Sequence, residues 1–214
     1  MKKLFALSGM LAAFVYVGTV VLGGILRPGY SHVTESVSEL VAAGAPNKLL
    51  LSSLFILYNL LCIIFGIGLF QQVKNSSGRK ASGTLGSISL VTVGFIGLLL
   101  ELFFPQDPGG PAVTFPGTMH IVLAGIAALG TMIAIVSIGL WFKNTRAMKW
   151  YTEYSLVTFA IILLSGGSTP ILGLDFPFFG VLERVTIGSF IVWLFVTAAM
   201  VYFYKEKGFT SIVK

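Results

Sequence analysis

The sequence is short of charge: only 10% of its 214 residues are Asp, Glu, Lys or Arg, while 56% are hydrophobic and the mean hydropathy is +0.93. A soluble domain carries roughly 25% charged residues. The deficit excludes an ordinary water-soluble globule and a disordered chain, and a nucleic-acid-binding domain as well, despite a net charge of +6. Cysteine is almost missing. The one thiol, Cys62, lies inside an apolar run, so there is neither a disulfide framework nor a cysteine-rich metal site. Histidine is scarce too, with only His32 and His120. The chain has no Gly-x-Ser-x-Gly elbow, phosphate-binding loop, dinucleotide fingerprint or His-Glu-x-x-His motif. No lysine stands in the middle of a span to form a retinal Schiff base, and a haem between the two histidines would use both. Alternating ten-residue strands are absent, which excludes a transmembrane barrel.

Long apolar runs are what the chain has. Six reach the roughly 20 residues needed to cross ~30 Å of hydrocarbon: Leu4–Leu26, Leu49–Gln71, Leu85–Phe104, Met119–Phe142, Ser155–Leu172 and Val181–Tyr204. These predict an all-α, polytopic integral membrane protein whose 1–214 form a single six-helix transmembrane domain. Glycine, at 25 residues, suits closely packed membrane helices. With the N-terminus inside, the inner segments hold Lys2, Lys3, Lys74, Arg79, Lys80, Lys143, Arg146, Lys149, Lys205, Lys207 and Lys214, and the outer ones only Arg27, Lys48 and Arg184. Eleven against three places both termini in the cytoplasm of a cell-membrane, multi-pass protein. The first span, too long for a signal-peptide core, reads as an uncleaved helix. The inner connector 74–80 reads as flexible chain with orienting charge and contact to anionic lipid.

Acids go the other way. Glu35, Glu39, Glu101, Asp107, Asp175 and Glu183 fall on the outer side with both histidines, against Glu153 and Glu206 inside. In the first outer loop, Ser31 as N-cap and Gly44 with Pro46 as stop predict a short amphipathic helix over Val33–Ala43. Val33, Val37, Leu40 and Val41 share one face of it, and His32, Glu35 and Glu39 the other. It either lies on the interface with its acids solvated, or lids a polar cavity with Ser38 or Glu39 at the edge. Glu101, His120, Glu183 and Arg184 fall on helix ends at similar depth. Ionisable groups there are costly unless they face the bundle interior, so one polar cluster is expected, with Arg184 paired to an acid. Asn59 falls near the midplane of the second span, and Gly166-Gly167-Ser168-Thr169-Pro170 is expected to kink or break the fifth, there lining a cavity or closing on its own hydroxyls.

Arg27-Pro28-Gly29-Tyr30-Ser31-His32, Ser36-Val37-Ser38-Glu39-Leu40 and Gly44-Ala45-Pro46-Asn47 resemble the first outer loop of a prokaryotic six-helix membrane family catalogued as a domain of unknown function, number nine hundred and ninety-eight. Phe104-Pro105-Gln106-Asp107, His120 and Gly180-Val181-Leu182-Glu183-Arg184 look like its later motifs. The family is distantly similar to eukaryotic six-helix membrane proteins of lipid remodelling, autophagy modulation and lipid asymmetry. The resemblance implies six helices and a lipid-related context, and carries over no reaction or cofactor.

The expected function is therefore an outward-facing polar site that binds a membrane lipid or small amphiphile. Its candidate residues are Arg27, His32, Glu39, Asn59, Glu101, Asp107, His120, Glu183 and Arg184, with Arg27 or Arg184 on a phosphate or carboxylate. One alternative is an intramembrane lipid hydrolase, metal-assisted if His32, His120 and Asp107 gather as ligands with Glu101 or Glu39 as base. Another is a structural or partner-binding membrane subunit, and ion or proton-coupled transport is the third.

Overall fold

In hydrocarbon every backbone N–H and C=O must find its partner within the chain, and an apolar run meets that demand by coiling. The computed structural model describes residues 2–76, 80–143 and 149–203. It contains six long helices: α1 (Lys2–Leu26), α2 (Lys48–Lys74), α3 (Lys80–Phe103), α4 (Phe115–Phe142), α5 (Lys149–Leu172) and α6 (Phe179–Phe203). All six are long and apolar enough to span a membrane. Of the sequence expectations, those on Ser77, Gly78, Arg79, Arg146, Tyr204, Lys205, Glu206, Lys207 and Lys214 lie outside the described residues.

Local chemistry sets the helix ends. Pro28 and Gly29 (φ +82°) stop α1, and Gly173 (φ +76°) follows α5. Thr114 caps α4, its hydroxyl accepting from the Gly117 N–H at 3.1 Å, with Pro116 in the first turn where its missing N–H costs nothing. Helices α3 and α5 start five and six residues before the expected Leu85 and Ser155. A hydropathy run registers only the part of a helix that sits in hydrocarbon, whereas hydrogen bonding carries the coil past it. The expected interruption of α5 does not occur: it is helical through Leu172. Pro170 deprives the Gly166 carbonyl of its usual donor, and the Thr169 hydroxyl takes that carbonyl at 2.7 Å. Ser165 and Ser168 likewise donate to Ile161 and Ser165 carbonyls.

The helices pack in chain order, each on its neighbours, and α6 closes on α1 to complete a ring. Toward the terminal end the ring is solid. Phe65, Leu69, Leu90, Ile135, Ile138, Tyr151, Trp193 and Leu194 are almost fully buried there. Tyr151 shares a 2.6 Å hydrogen bond with Thr197, Trp193 donates to Ser155, and Thr152 donates to the Gly139 carbonyl, which ties α4, α5 and α6 together. The other end, where the long loops lie, is looser. A small second core of Val37, Leu40, Val41, Leu51 and Phe55 forms under the first loop.

The Arg27–Lys48 loop corrects the expected three-turn helix over Val33–Ala43. Only one 3₁₀ turn forms, Ser38–Val41, here η1. Val37, Leu40 and Val41 are buried as the pattern implied, but Val33 is exposed and Glu39, assigned to the solvated face, is 6% exposed. Side-chain hydrogen bonds to other elements outcompete the local helix.

Close contact between α3 and α4 depends on a missing side chain. A Cβ on Gly86 of α3 would lie 2.6 Å from Ile138 Cγ1 and 3.0 Å from the Ile138 backbone nitrogen of α4. By contrast, a Cβ on Gly125 of α4 would meet nothing within 4 Å. Gly86→Ala is therefore expected to lower stability by about 1–3 kcal/mol, and Gly125→Ala to leave it unchanged or raise it by up to about 1 kcal/mol. Thermal unfolding of both variants in detergent checks the pair.

Candidate functional site

The first loop is fastened over the ring from several sides. Arg27, just past α1, donates to the Glu39 carbonyl oxygen and lies 3.7 Å from both the Glu35 and Glu39 carboxylates. Glu39 also accepts from Gln106 Nε2 at 2.8 Å, and the Gln106 carbonyl accepts from the Ala43 N–H at 2.9 Å. From α6, Arg184 donates to the Glu35 and Gly180 carbonyls at 2.7 and 2.9 Å and to the Tyr30 hydroxyl. The Tyr30 ring lies 5.6 Å from each guanidinium, of Arg27 and of Arg184. Its own hydroxyl donates to the Ser36 carbonyl, and burial pushes it up to about 12 against the pull of Arg184, so it stays a neutral donor.

Glu183 Oε2 accepts from the Val37 N–H at 2.5 Å, and the Val181 N–H donates to the Val33 carbonyl. A Cβ on Gly180 would stand 2.4 Å from the Glu35 carbonyl oxygen, so α6 meets the loop backbone to backbone. From α4, His120 reaches both loops: Nδ1 is 2.8 Å from the Phe104 carbonyl and Nε2 is 3.1 Å from the Ser38 hydroxyl. A carbonyl only accepts, so Nδ1 carries the proton and Nε2 accepts from Ser38.

Beneath this roof lies a cavity of about 220 Å³ to which all six helices contribute. Its walls are mostly apolar, among them Val93, Leu100, Ile187 and Phe190, with three alanines, Ala124, Ala127 and Ala128, along α4. Polar groups interrupt them at Asn59, Glu101, His120, Glu183 and the hydroxyls of Tyr16, Tyr58, Ser38, Thr131 and Thr186. Asn59 donates to the Phe55 carbonyl and lies flat on Gly97, where a Cβ would fall 2.0 Å from its Oδ1. Glu101 Oε2 and Ser52 Oγ are buried without a hydrogen-bond partner.

The wall is thin on one side. Helix α5 lends it only Ile162. Between Gly117 and Thr131 only His120 of α4 is buried, and beyond Ile162 only Ser165 of α5, held to α6 by a 2.7 Å bond to Thr186. Ala124 is exposed although it lies on the cavity wall. On the same halves of α4 and α5, the apolar residues Ile126, Leu163 and Leu164 are exposed.

The nine residues singled out in the sequence thus divide. Asn59, Glu101, His120 and Glu183 line the cavity. Arg27 and Glu39 line a second depression, about 290 Å³, that also takes in Thr34, Glu35, Gly110 and Phe179. His32, Asp107 and Arg184 line neither. His32 is exposed but rests on Gly24, and partial desolvation together with the charge of Arg184 holds its imidazole below the ordinary value. The expected pairing of Arg184 with an acid is not found. Among the described residues both ion pairs belong to Arg27, and backbone carbonyls take the Arg184 donors. Nor do His32, His120, Asp107 and the acids gather into a metal-binding group among the described residues. Tyr16, Tyr58 and Gln106 were missed. Mid-span tyrosines in otherwise aliphatic runs were the available signal for the first two.

A membrane-spanning six-helix protein with a roofed cavity, thinly walled on one side, is the class these observations define. Residues 10–200 match the family model described as "Protein of unknown function (DUF998)", and the chain belongs to that family. Searches of curated proteins and of solved structures return no match.

Asp107 belongs to the scaffold. It accepts from the Thr114 hydroxyl at 2.7 Å and from the Thr114 and Val113 N–H groups at 2.8 Å, against Gly117 at the start of α4. The Thr114 hydroxyl first, then the two backbone bonds, hold its carboxyl below the usual 3.8. A depressed folded-state pKa gives stability that is present above the unfolded value and lost as pH falls through the folded one. Unfolding midpoints of the wild type are therefore expected to fall below about pH 4 more steeply than those of Asp107→Asn. Parallel curves would assign the carboxylate no such role.

Proposed function

We propose that this protein binds a lipid or small amphiphile in the membrane-embedded cavity, with the head group under the roof and the apolar part leaving between α4 and α5. The single observation that carries this reading is the combination, in one cavity, of apolar walls, a few convergent polar groups and a thin side where the wall residue Ala124 is exposed near apolar Ile126. A site that opened only to water would suit a solute. One whose thin side faces exposed apolar residues takes its ligand from the bilayer. Belonging to a family without an assigned activity neither adds to the reading nor opposes it.

Lipid extracted from protein purified in a mild non-ionic detergent tests the proposal. The wild type is expected to carry one amphiphile in near-stoichiometric amount. Ala124→Phe, which fills the thin side, should lower that amount about tenfold, the effect of about 1.4 kcal/mol of lost binding energy, without lowering the unfolding temperature. Equal, non-selective lipid content in both would count against the site.

The roof faces outward in this reading and both termini face the cytoplasm, on the strength of the basic residues at the terminal end. Thr34 and Asn75 are both exposed and lie at opposite ends of the bundle. Thr34→Cys in a Cys62→Ala background should react with an impermeant thiol reagent in intact cells. Asn75→Cys should react only after permeabilisation. The opposite result reverses the orientation.

A further inference from the structure

We infer that the cavity selects an amphiphile with an organic ammonium head, a primary or quaternary amine, over one with a phosphate or carboxylate head. This rests on the cavity being an amphiphile site and names the chemistry of that site.

Among the described residues the wall carries the carboxyl groups of Glu101 and Glu183 and the imidazole of His120, and no lysine or arginine. Both nitrogens of His120 are occupied by the roof, so the imidazole is not a free donor for an anion. The neighbouring cations are engaged or stand back. Arg27 holds Glu35 and Glu39, and the terminal nitrogens of Arg184 hold Tyr30 and two backbone carbonyls; Arg184 Nε is without a partner, but Arg184 does not line the cavity. Lys48, at the start of α2, acts on Glu101 electrostatically without an ion pair to it among the described residues. A phosphate in this cavity would meet two carboxyl groups and no basic side chain. A primary ammonium would bring N–H donors to Glu101 Oε2, which makes no hydrogen bond although the Ser52 hydroxyl lies beside the carboxyl group, and a quaternary one would bring its positive charge.

The aromatic lining supplies an independent argument. Tyr16, Phe55 and Tyr58 lie together on the wall, with ring centroids 5.5 Å apart for Tyr16 and Phe55 and 5.0 Å for Tyr16 and Tyr58. Tyr16 is also within electrostatic reach of Glu183 and Glu101, and of Arg184 as well. Ring faces carry partial negative charge, and aromatic rings beside carboxylates form the combination that holds ammonium groups, methylated ones included. Phosphate and carboxylate heads gain nothing from it.

The experiment measures binding of four probes that share a dodecyl chain to the purified full-length protein in nanodiscs, by shift of the unfolding midpoint over a concentration series. Their heads are trimethylammonium, primary amine, maltoside and phosphate. At least one ammonium head is expected to bind about tenfold or more tightly than phosphate. Glu101→Gln and Glu183→Gln, each able to keep its existing hydrogen bonds, should remove most of that preference while maltoside binding stays. Phosphate binding as tightly as ammonium overturns the inference, as does a preference that survives in both variants. Binding of the maltoside or phosphate probe without the ammonium ones defeats the head-group assignment alone. If no probe binds the wild type, the amphiphile site itself falls.

Discussion

Two guanidinium groups on one tyrosine hold this structure's loop end together. Arg27 arrives from the end of α1 and Arg184 from the first turns of α6, and Tyr30 lies between them. Each arginine satisfies carbonyls of the same loop: Glu39 for the first, Glu35 for the second. A stretch of chain without extended secondary structure would leave polar backbone groups unpaired, and a multidentate planar cation can satisfy several at once. The cavity exists because of this. Without a fixed roof, Leu40 and Val41 would have no seat on α1 and α2, and the loop end of the ring would be open.

The division of the bundle into a solid end and a hollow end follows from side-chain size and hydrogen bonding. At the terminal end, α4 offers Phe142 to Tyr151 of α5 and Trp141 to Gly83 of α3, and Tyr151, Trp193 and Thr197 interlock. Toward the roof, α4 presents alanines and a histidine and α5 presents Ile162, so the same two helices enclose space where they might have filled it. Interhelical hydrogen bonds in membranes are worth about 0.6–2 kcal/mol each. Those at the terminal end hold the bundle together where the other end leaves a cavity.

The spans were legible because hydrocarbon imposes a length and a polarity that no other environment does. Their ends were less so: Lys80 and Lys149 are helical although polar, since a coil continues as long as its hydrogen bonds do. The depth of Glu101, His120 and Glu183 was legible from position in the span, and these three do line one cavity with Asn59. What they touch was not. The His32, Glu35 and Glu39 spacing imitates a helical face, yet Glu39 is turned inward by Gln106 and Arg27, sixty-seven and twelve positions away in sequence. Local periodicity has no access to such partners. Arg184 was misread for a related reason. An arginine beside a glutamate invites an ion pair, but backbone carbonyls compete for guanidinium donors, and a loop crossing above α6 supplies them.

The roof also separates charge. Basic groups lie within or above it: Arg27 with its two carboxylates along the second depression, and Arg184 among the carbonyls of residues 35 and 180. The carboxyl groups of Glu101 and Glu183 lie on the wall of the cavity below. Adjacent residues, Glu183 and Arg184, take opposite sides of this division because one helical step turns a side chain by about 100°. Glu183 spends one oxygen on the Val37 N–H, which fixes the roof, and still lines the cavity. The residue that fastens the roof is therefore also part of the cavity wall.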